Sequence, residues 1–419
     1  MIDGAQNASQ GSRAPLHVWC LNYEGSGTAY ESQFLGLVQA LEDYGVSHEA
    51  DVFVSAREYA PARSNREPAA GVSVKIHLRP PLLGPPNLAI AWAQLAPRLA
   101  RRVGHGQNVV LHCRGQLTTR LGLMLQASAG GRVRVVSDFR GVVAQELMAL
   151  AARRQSMGLV ARVRDGNPFL SRVPEWVLEC EQAAYHRADV VTCVSSAFVA
   201  YLAEKYGVRT GETLVFPTCT RLRLAAEGDL LDRKEQAKAK LGLQGKLVVA
   251  FLGSFSAWSD TAMVDKAFSS IAHHTPAHLM LIASNGPDRG LLKKWGHCCT
   301  WVSLPHKDVQ RHLMAADVGL LLRTPSVINR VACPIKVAEY LAAGVPVLAS
   351  QGIGDLDEIL IRHGVGLTIR DPSEAGDAFR HIRFDYSGAR KLLSNHFSWP
   401  HNLRALAAIL NRAWGDPSA

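Results

Sequence analysis

Residues 317–352, DVGLLLRTPSVINRVACPIKVAEYLAAGVPVLASQG, constrain this chain more than any other stretch. Val318-Gly319-Leu320-Leu321-Leu322 is an apolar run with the length of a strand buried on both faces of a parallel sheet. A polar loop over 323–329 follows. Pro334 then sets φ for the first turn of a helix continuing over 335–341. Gly344 stops that helix in the left-handed conformation glycine takes most cheaply, and 345–348 reads as a second strand. The spacing therefore predicts one β-loop-α-β unit.

The polar residues of this unit stand where packing alone would not put them. Arg323 follows a strand's carboxyl end. Lys336 lies in the first helical turn, where the dipole disfavours a cation by about 0.3–1 kcal/mol. Glu339 is three residues on, along the same face. A bound anion would offset the cation's penalty, and a carboxylate one turn away suits sugar hydroxyls. Together they point to a phosphorylated sugar, most simply a nucleotide sugar. Spacing alone leaves open a solvated Lys–Glu pair on an ordinary helix.

The same alternation runs through the chain. Strand 17–22 enters a loop containing Gly25 and Gly27, followed by a helix over 30–44; such a loop lets backbone approach a sugar or phosphate. Strands at 52–54 and 72–77 and a helix over 87–102 follow. Strand 109–115 ends in polar residues, including His112 and Arg114. Strand 133–136 runs into Ser137-Asp138-Phe139-Arg140-Gly141. Ligands of open α/β sheets sit beyond the strands' carboxyl ends, which makes His112, Asp138 and Arg140 candidates. Strand 189–194 leads to Ser195 or Ser196 as N-cap of a helix over 197–206. Past a polar linker at 218–235, strand 247–252 ends in Gly253 and Ser254. Further units extend to strand 364–369 and an amphipathic helix over 399–414. Repeated βα units imply an α/β fold of parallel sheets with helices on both faces. The absence of GxGxxG argues against a dehydrogenase.

CPIKVAEYLAAGVPVLAS closely resembles the donor-binding segment of retaining, group 1 (family 4-like) glycosyltransferases of the GT-B fold. RADVVTCVSSAFVAYLAEKYG and the HxR and DxRG strand endings are similar to that family as well. The resemblance implies two Rossmann-like βαβ domains facing each other across a cleft. The expected division is an acceptor-side domain at 1–230, a donor-binding domain at 231–397, and a helix at 398–419 crossing back. It implies that Lys336 and Arg323 meet a UDP- or GDP-linked donor's diphosphate and Glu339 its ribose. Gly25, Gly27, Gly253 and Ser254 would complete the donor site, with His112, Asp138 and Arg140 catalytic on the acceptor side. The implied reaction is hexosyl transfer to a glycan, lipid-linked or small-molecule hydroxyl in bacterial glycan or glycoconjugate biosynthesis, with retention. Two departures stand out. Val331 occupies the position, eight before Glu339, where the family usually has a sugar-contacting Glu. The loop SFSAWSD after Gly253 lacks the usual diphosphate-binding Lys. The first leaves open a backbone amide of 329–333 as the sugar's partner, or a differently held hexose. A non-catalytic sugar-binding scaffold and a GT-B epimerase are the competing readings.

Composition narrows the class. The 419 residues exceed one ordinary core, and 47% apolar with 20% charged residues is a globular profile. No apolar run reaches the roughly 18 residues of a membrane span. Residues 1–14 read as a disordered lead-in without the apolar segment of a signal peptide. The eight cysteines show no metal-type spacing, and Cys20, Cys113 and Cys193 fall inside strands as small hydrophobes. A reducing, cytoplasmic setting is the expectation. The net charge of +10, with arginine clusters at 98–102 and 153–154, suits an anionic membrane face, a phosphate-bearing acceptor, or solubility. No nucleic-acid module appears. No DxD pair stands in a suitable loop, so neither metal nor cofactor is expected.

Overall fold

The computed structural model describes residues 16–23, 30–55, 59, 74–79, 85–156, 173–255, 261–284, 286 and 289–413. Within them lie two parallel sheets. The first contains β1 (Leu16–Asn22), β2 (His48–Val54), β3 (Val74–Leu78), β4 (Asn108–Arg114), β5 (Val133–Phe139), β6 (Val190–Cys193) and β7 (Glu212–Val215), in the order β3-β2-β1-β4-β5-β6-β7. The second contains β8 (Leu247–Gly253), β9 (Ala277–Ala283), β10 (Cys299–Val302), β11 (Val318–Leu321), β12 (Val347–Ser350) and β13 (Gly366–Ile369), in the order β10-β9-β8-β11-β12-β13. In each the order reverses once, between β1 and β4 and between β8 and β11. A crevice opens at the carboxyl ends of such a reversal, so topology alone picks out two loop sets as ligand sites.

Both faces of each sheet are covered, which is why the strands read as continuous apolar runs. Trp19 and Leu21 point to a core with Leu95, Leu99 and Leu111; Val18 and Cys20 point oppositely, to Phe34, Val38 and Val110. Trp399, Leu406, Ile409 and Leu410 of the helix Trp399–Ala413 join that second core. In the other sheet Val248 and Ala250 pack with Tyr340 and Leu341, while Val249 and Phe251 pack with Phe268 and Ile271. Each fully buried Leu or Val contributes on the order of 1.5–3 kcal/mol.

Several local expectations shift by a residue or a turn. Helix 30–44 divides into a widened π turn, Tyr30–Leu35, and the α-helix Gly36–Asp43. The wide turn carries Gln33 inward, where its amide donates to Cys219 O at 2.9 Å and accepts from Cys219 N at 3.0 Å. The loop read over 323–329 ends early, in a short helical turn, Val327–Arg330, capped by Ser326. The linker read over 218–235 gives way to the helix Leu230–Leu241, whose side chains Lys234 and Lys238 are anchored on Asp317. Ser195 is the N-cap expected, accepting from Phe198 N at 3.0 Å. Gly344 has φ +74 at the end of the helix Lys336–Ala342. The arginines at 153–154 and residues 1–14 have no described side-chain structure.

The chain passes between the two sheets twice, side by side. Thr220 forms a parallel bridge with Ser398, and its N–H donates to Phe397 O at 2.8 Å. A separate junction joins the units where Ser195 Oγ donates to Val331 O at 2.8 Å.

Candidate active site

The helix Lys336–Ala342 is buried almost all round: Val337, Ala338, Glu339, Tyr340, Leu341 and Ala342 are inside, and Lys336 alone reaches the surface. Tyr340 fixes its position. The hydroxyl donates to Leu320 O at 3.0 Å and accepts from Leu252 N at 2.8 Å, tying the helix to β11 and β8 at the sheet's reversal. Gly319 makes this possible, because a Cβ there would overlap the Tyr340 ring. Lys336 Nζ lies 3.0 Å from Glu339 Oε2, and Glu339 is 1% exposed. With a helix of seven residues, attraction for an anion comes mainly from the lysine's own charge rather than from a long dipole.

Lys336 faces a cleft of about 610 Å3 between the two units, with Gly253 and Ser254 beside it. Arg114 and Arg140 enter from the first sheet. Their placement follows from register. Asn22, Arg114, Asp138 and Thr192 stand opposite one another across β1, β4, β5 and β6, forming one polar row at the carboxyl edge. Asp138 is 1% exposed and does not line the cleft; its carboxylate accepts from Arg140 Nε at 2.7 Å and Thr192 Oγ1 at 2.8 Å. Burial pushes the Asp138 carboxyl up, but the Arg140 charge, with Arg114 and the Arg140 hydrogen bond, more than offsets it and holds it below the usual range. Arg140 also stacks over the Phe216 ring and donates to Phe216 O and Pro217 O.

His112 sits one row back, opposite Cys20 and Val136, 2% exposed and with neither ring nitrogen hydrogen-bonded among the described residues. Burial lowers its pKa, with Asp138 opposing, so the ring is neutral at neutral pH. Of the three residues chosen for the acceptor face, only Arg140 reaches the cleft; His112 and Asp138 lie beneath it. Gly25 and Gly27 fall outside the described residues.

The sequence matches two family models: a glycosyl transferase 4-like domain at 28–219 and glycosyl transferases group 1 at 246–383. The chain belongs to the group 1 glycosyltransferases. Comparison with curated proteins finds no match. Solved structures resemble this glycosyltransferase along nearly its whole length. A sucrose-phosphate synthase from Thermosynechococcus elongatus has a TM-score of 0.60 at 18% identity, covering 96% of this chain and 99% of its own. HepE of Anabaena, solved with UDP and glucose, scores 0.62 at 15% identity, covering 94% and 99%. WaaG, a glycosyltransferase involved in lipopolysaccharide biosynthesis, scores 0.58 at 16% identity, with the same coverage. At such identities the likeness establishes the fold: GT-B, two Rossmann-like units.

Two residues of this glycosyltransferase sit otherwise than local pattern suggested. Arg323 does not line the cleft; it donates to Asn329 Oδ1 at 2.9 Å, and burial lowers its pKa to about 10 against the pull of Glu146. Val331 is 1% exposed and belongs to the first sheet's core. The amides of Arg330, Val331 and Ala332 bond to carbonyls of their own turn, which removes those three as partners for a sugar. Arg114 was readable as a strand-end cation. Thr218 and Cys333, joined across the cleft by a 3.0 Å hydrogen bond, carried no local signal.

Proposed function

We propose that this glycosyltransferase moves a hexose from a UDP- or GDP-linked donor to a hydroxyl acceptor, with retention of anomeric configuration, in bacterial glycan or glycoconjugate assembly. The observation that carries the proposal is the cleft between two strand-order reversals, into which Lys336, Arg114 and Arg140 converge while buried Glu339 backs Lys336. Sugar transfer leaves negative charge growing on the departing diphosphate and positive charge on the sugar. Fixed cations that need no reorganisation stabilise the first. Lys336 is assigned to the diphosphate and Glu339 to the ribose hydroxyls; Gly253 and Ser254 allow close backbone approach. Arg323 is assigned to the diphosphate after leaving Asn329.

On the acceptor side Asp138 acts through Arg140, which it holds, and neutral His112 supports the row from behind. No resident metal or cofactor is assigned. The acceptor is a glycan, lipid-linked or small-molecule hydroxyl. Among the described residues no helix is long and apolar enough to cross a membrane, so contact with an anionic bilayer would be peripheral.

A thermal-shift screen against UDP- and GDP-sugars tests donor recognition; a true donor at a hundred times its dissociation constant stabilises by about 2.7 kcal/mol. NMR of the product's anomeric configuration tests mechanism, and inversion would sink the retaining assignment. Burial of Val331 favours a second reading, a sugar-nucleotide binder without turnover, for which binding without transfer or hydrolysis is the signature.

A further inference from the structure

We propose that a recess behind the interdomain crossing binds a soluble phosphate ester carrying at least two negative charges. The recess encloses about 870 Å3. Its walls are the helix Gly36–Asp43, the outgoing chain at 220–224, the helix Tyr386–Lys391 and the start of the helix Trp399–Ala413. It shares no lining residue with the transfer cleft.

Charge is what sets this recess apart. Arg221, Arg223, Arg390 and Arg404 line it, and Asp43 is the one carboxylate among its lining residues. Asp43 pairs with Arg221 at 2.6 Å. Arg223, Arg390 and Arg404 make no ion pair among the described residues. Guanidinium groups gathered without counter-charge repel one another, and an anion at their centre relieves that repulsion. Arginine's planar fork matches phosphate oxygens two at a time, which favours phosphate over a diffuse anion. The arginines are also brought from two regions far apart in sequence, 221–223 and 390–404, so no local pattern assembles them.

The shape selects the source of the phosphate. A bilayer is flat and meets protruding residues, whereas a recess admits a molecule small enough to enter. Tyr44, 47% exposed on the wall, offers an aromatic surface to the organic part of such an ester. The ligand would touch the outgoing chain through Arg223, the second unit through Arg390 and the returning helix through Arg404. Occupancy therefore holds the two crossings in one arrangement.

Calorimetric titration of the full chain with inorganic pyrophosphate tests this, using wild type, Lys336→Ala and the triple variant Arg223→Gln/Arg390→Gln/Arg404→Gln. Lys336→Ala removes one of the transfer cleft's three cations and leaves Arg114 and Arg140, so the recess is read from the difference made by the three recess arginines in this background. The expected result is that Lys336→Ala retains a pyrophosphate site whose affinity falls with added salt. The triple variant, with Lys336→Ala added, should bind at least about tenfold more weakly, as loss of charge-assisted hydrogen bonds implies. Circular dichroism checks folding, and Arg404→Gln alone gives a milder variant with a smaller loss in the same direction. Equal affinity with and without the three arginines overturns the proposal. So does binding confined to phosphatidylglycerol vesicles with none to pyrophosphate.

Discussion

Asp355 caps a helix that belongs to the other half of the molecule. Its carboxylate accepts from Ser196 N at 2.7 Å and Ala197 N at 2.9 Å, the first amides of the helix Ser196–Tyr206. Ser195 Oγ, alongside, donates to Val331 O. The two units are thus latched at a point separate from the covalent crossings at 220 and 398.

Asp355→Ala should loosen that latch. Loss of a helix cap costs about 0.5–2 kcal/mol, here at an interface rather than within one unit. Small-angle scattering should show a larger radius of gyration for the variant, with the wild type contracting further when nucleotide sugar binds. Identical scattering curves for the two proteins would show that the crossings alone set the arrangement.

Lys336→Ala and Glu339→Gln should each weaken donor binding roughly ten- to a hundredfold, the equivalent of about 1.5–3 kcal/mol for a charge-assisted bond. The lysine variant also leaves Glu339, 1% exposed, without its cation. Its melting temperature should therefore fall as well. Calorimetry with UDP and GDP, read beside the melts, separates the two effects; unchanged nucleotide affinity in both variants would remove this pair from the donor site.

Tyr340→Phe leaves the buried Leu252 N–H without its acceptor, at a cost of about 1–3 kcal/mol. Gly319→Ala attacks the same contact from β11 by forcing a methyl group against the ring, with a cost in the range of about 1–3 kcal/mol for overpacking. Urea denaturation should show both losses. Since Tyr340 and Lys336 share one short helix, nucleotide affinity should drop in both variants too, and a purely structural effect would leave it intact.

Stability should fall on mild acidification, in part through His396. Burial lowers its pKa from 6.5 to about 4, Asp355 acting against the shift and His363 and His401 with it. The unfolded chain takes up the proton first as pH drops, so this contribution is complete above about pH 6.5 and is lost toward about pH 4. His112, His278 and His363, also lowered by burial, act with the same sign. His396→Asn should flatten the acid limb of a stability–pH curve in that window; an unchanged limb would mean that His396 keeps the same pKa on unfolding.

The elements, and the β-loop-α-β unit that carries Lys336 and Glu339, follow from local sequence. The apolar runs of β8 and β11, Gly344 after the helix, and Ser195 before its own helix are set by sterics and hydrogen bonds within a few residues. The pairing of Lys336 with Glu339 is likewise a matter of three residues' spacing. What those elements present to one another depends on how distant parts of the chain pack. The row Asn22, Arg114, Asp138 and Thr192 exists only once strand register is set. Register also put Arg140 in the cleft and Asp138 beneath it. Val331 entered the core of the other unit, and Asp355 reached Ser196 across 159 positions of chain. Such contacts form only after the whole chain has closed, and they depend on the shapes of surfaces built by many residues together. A local pattern records the forces that act along the chain, not those that act between distant parts of it.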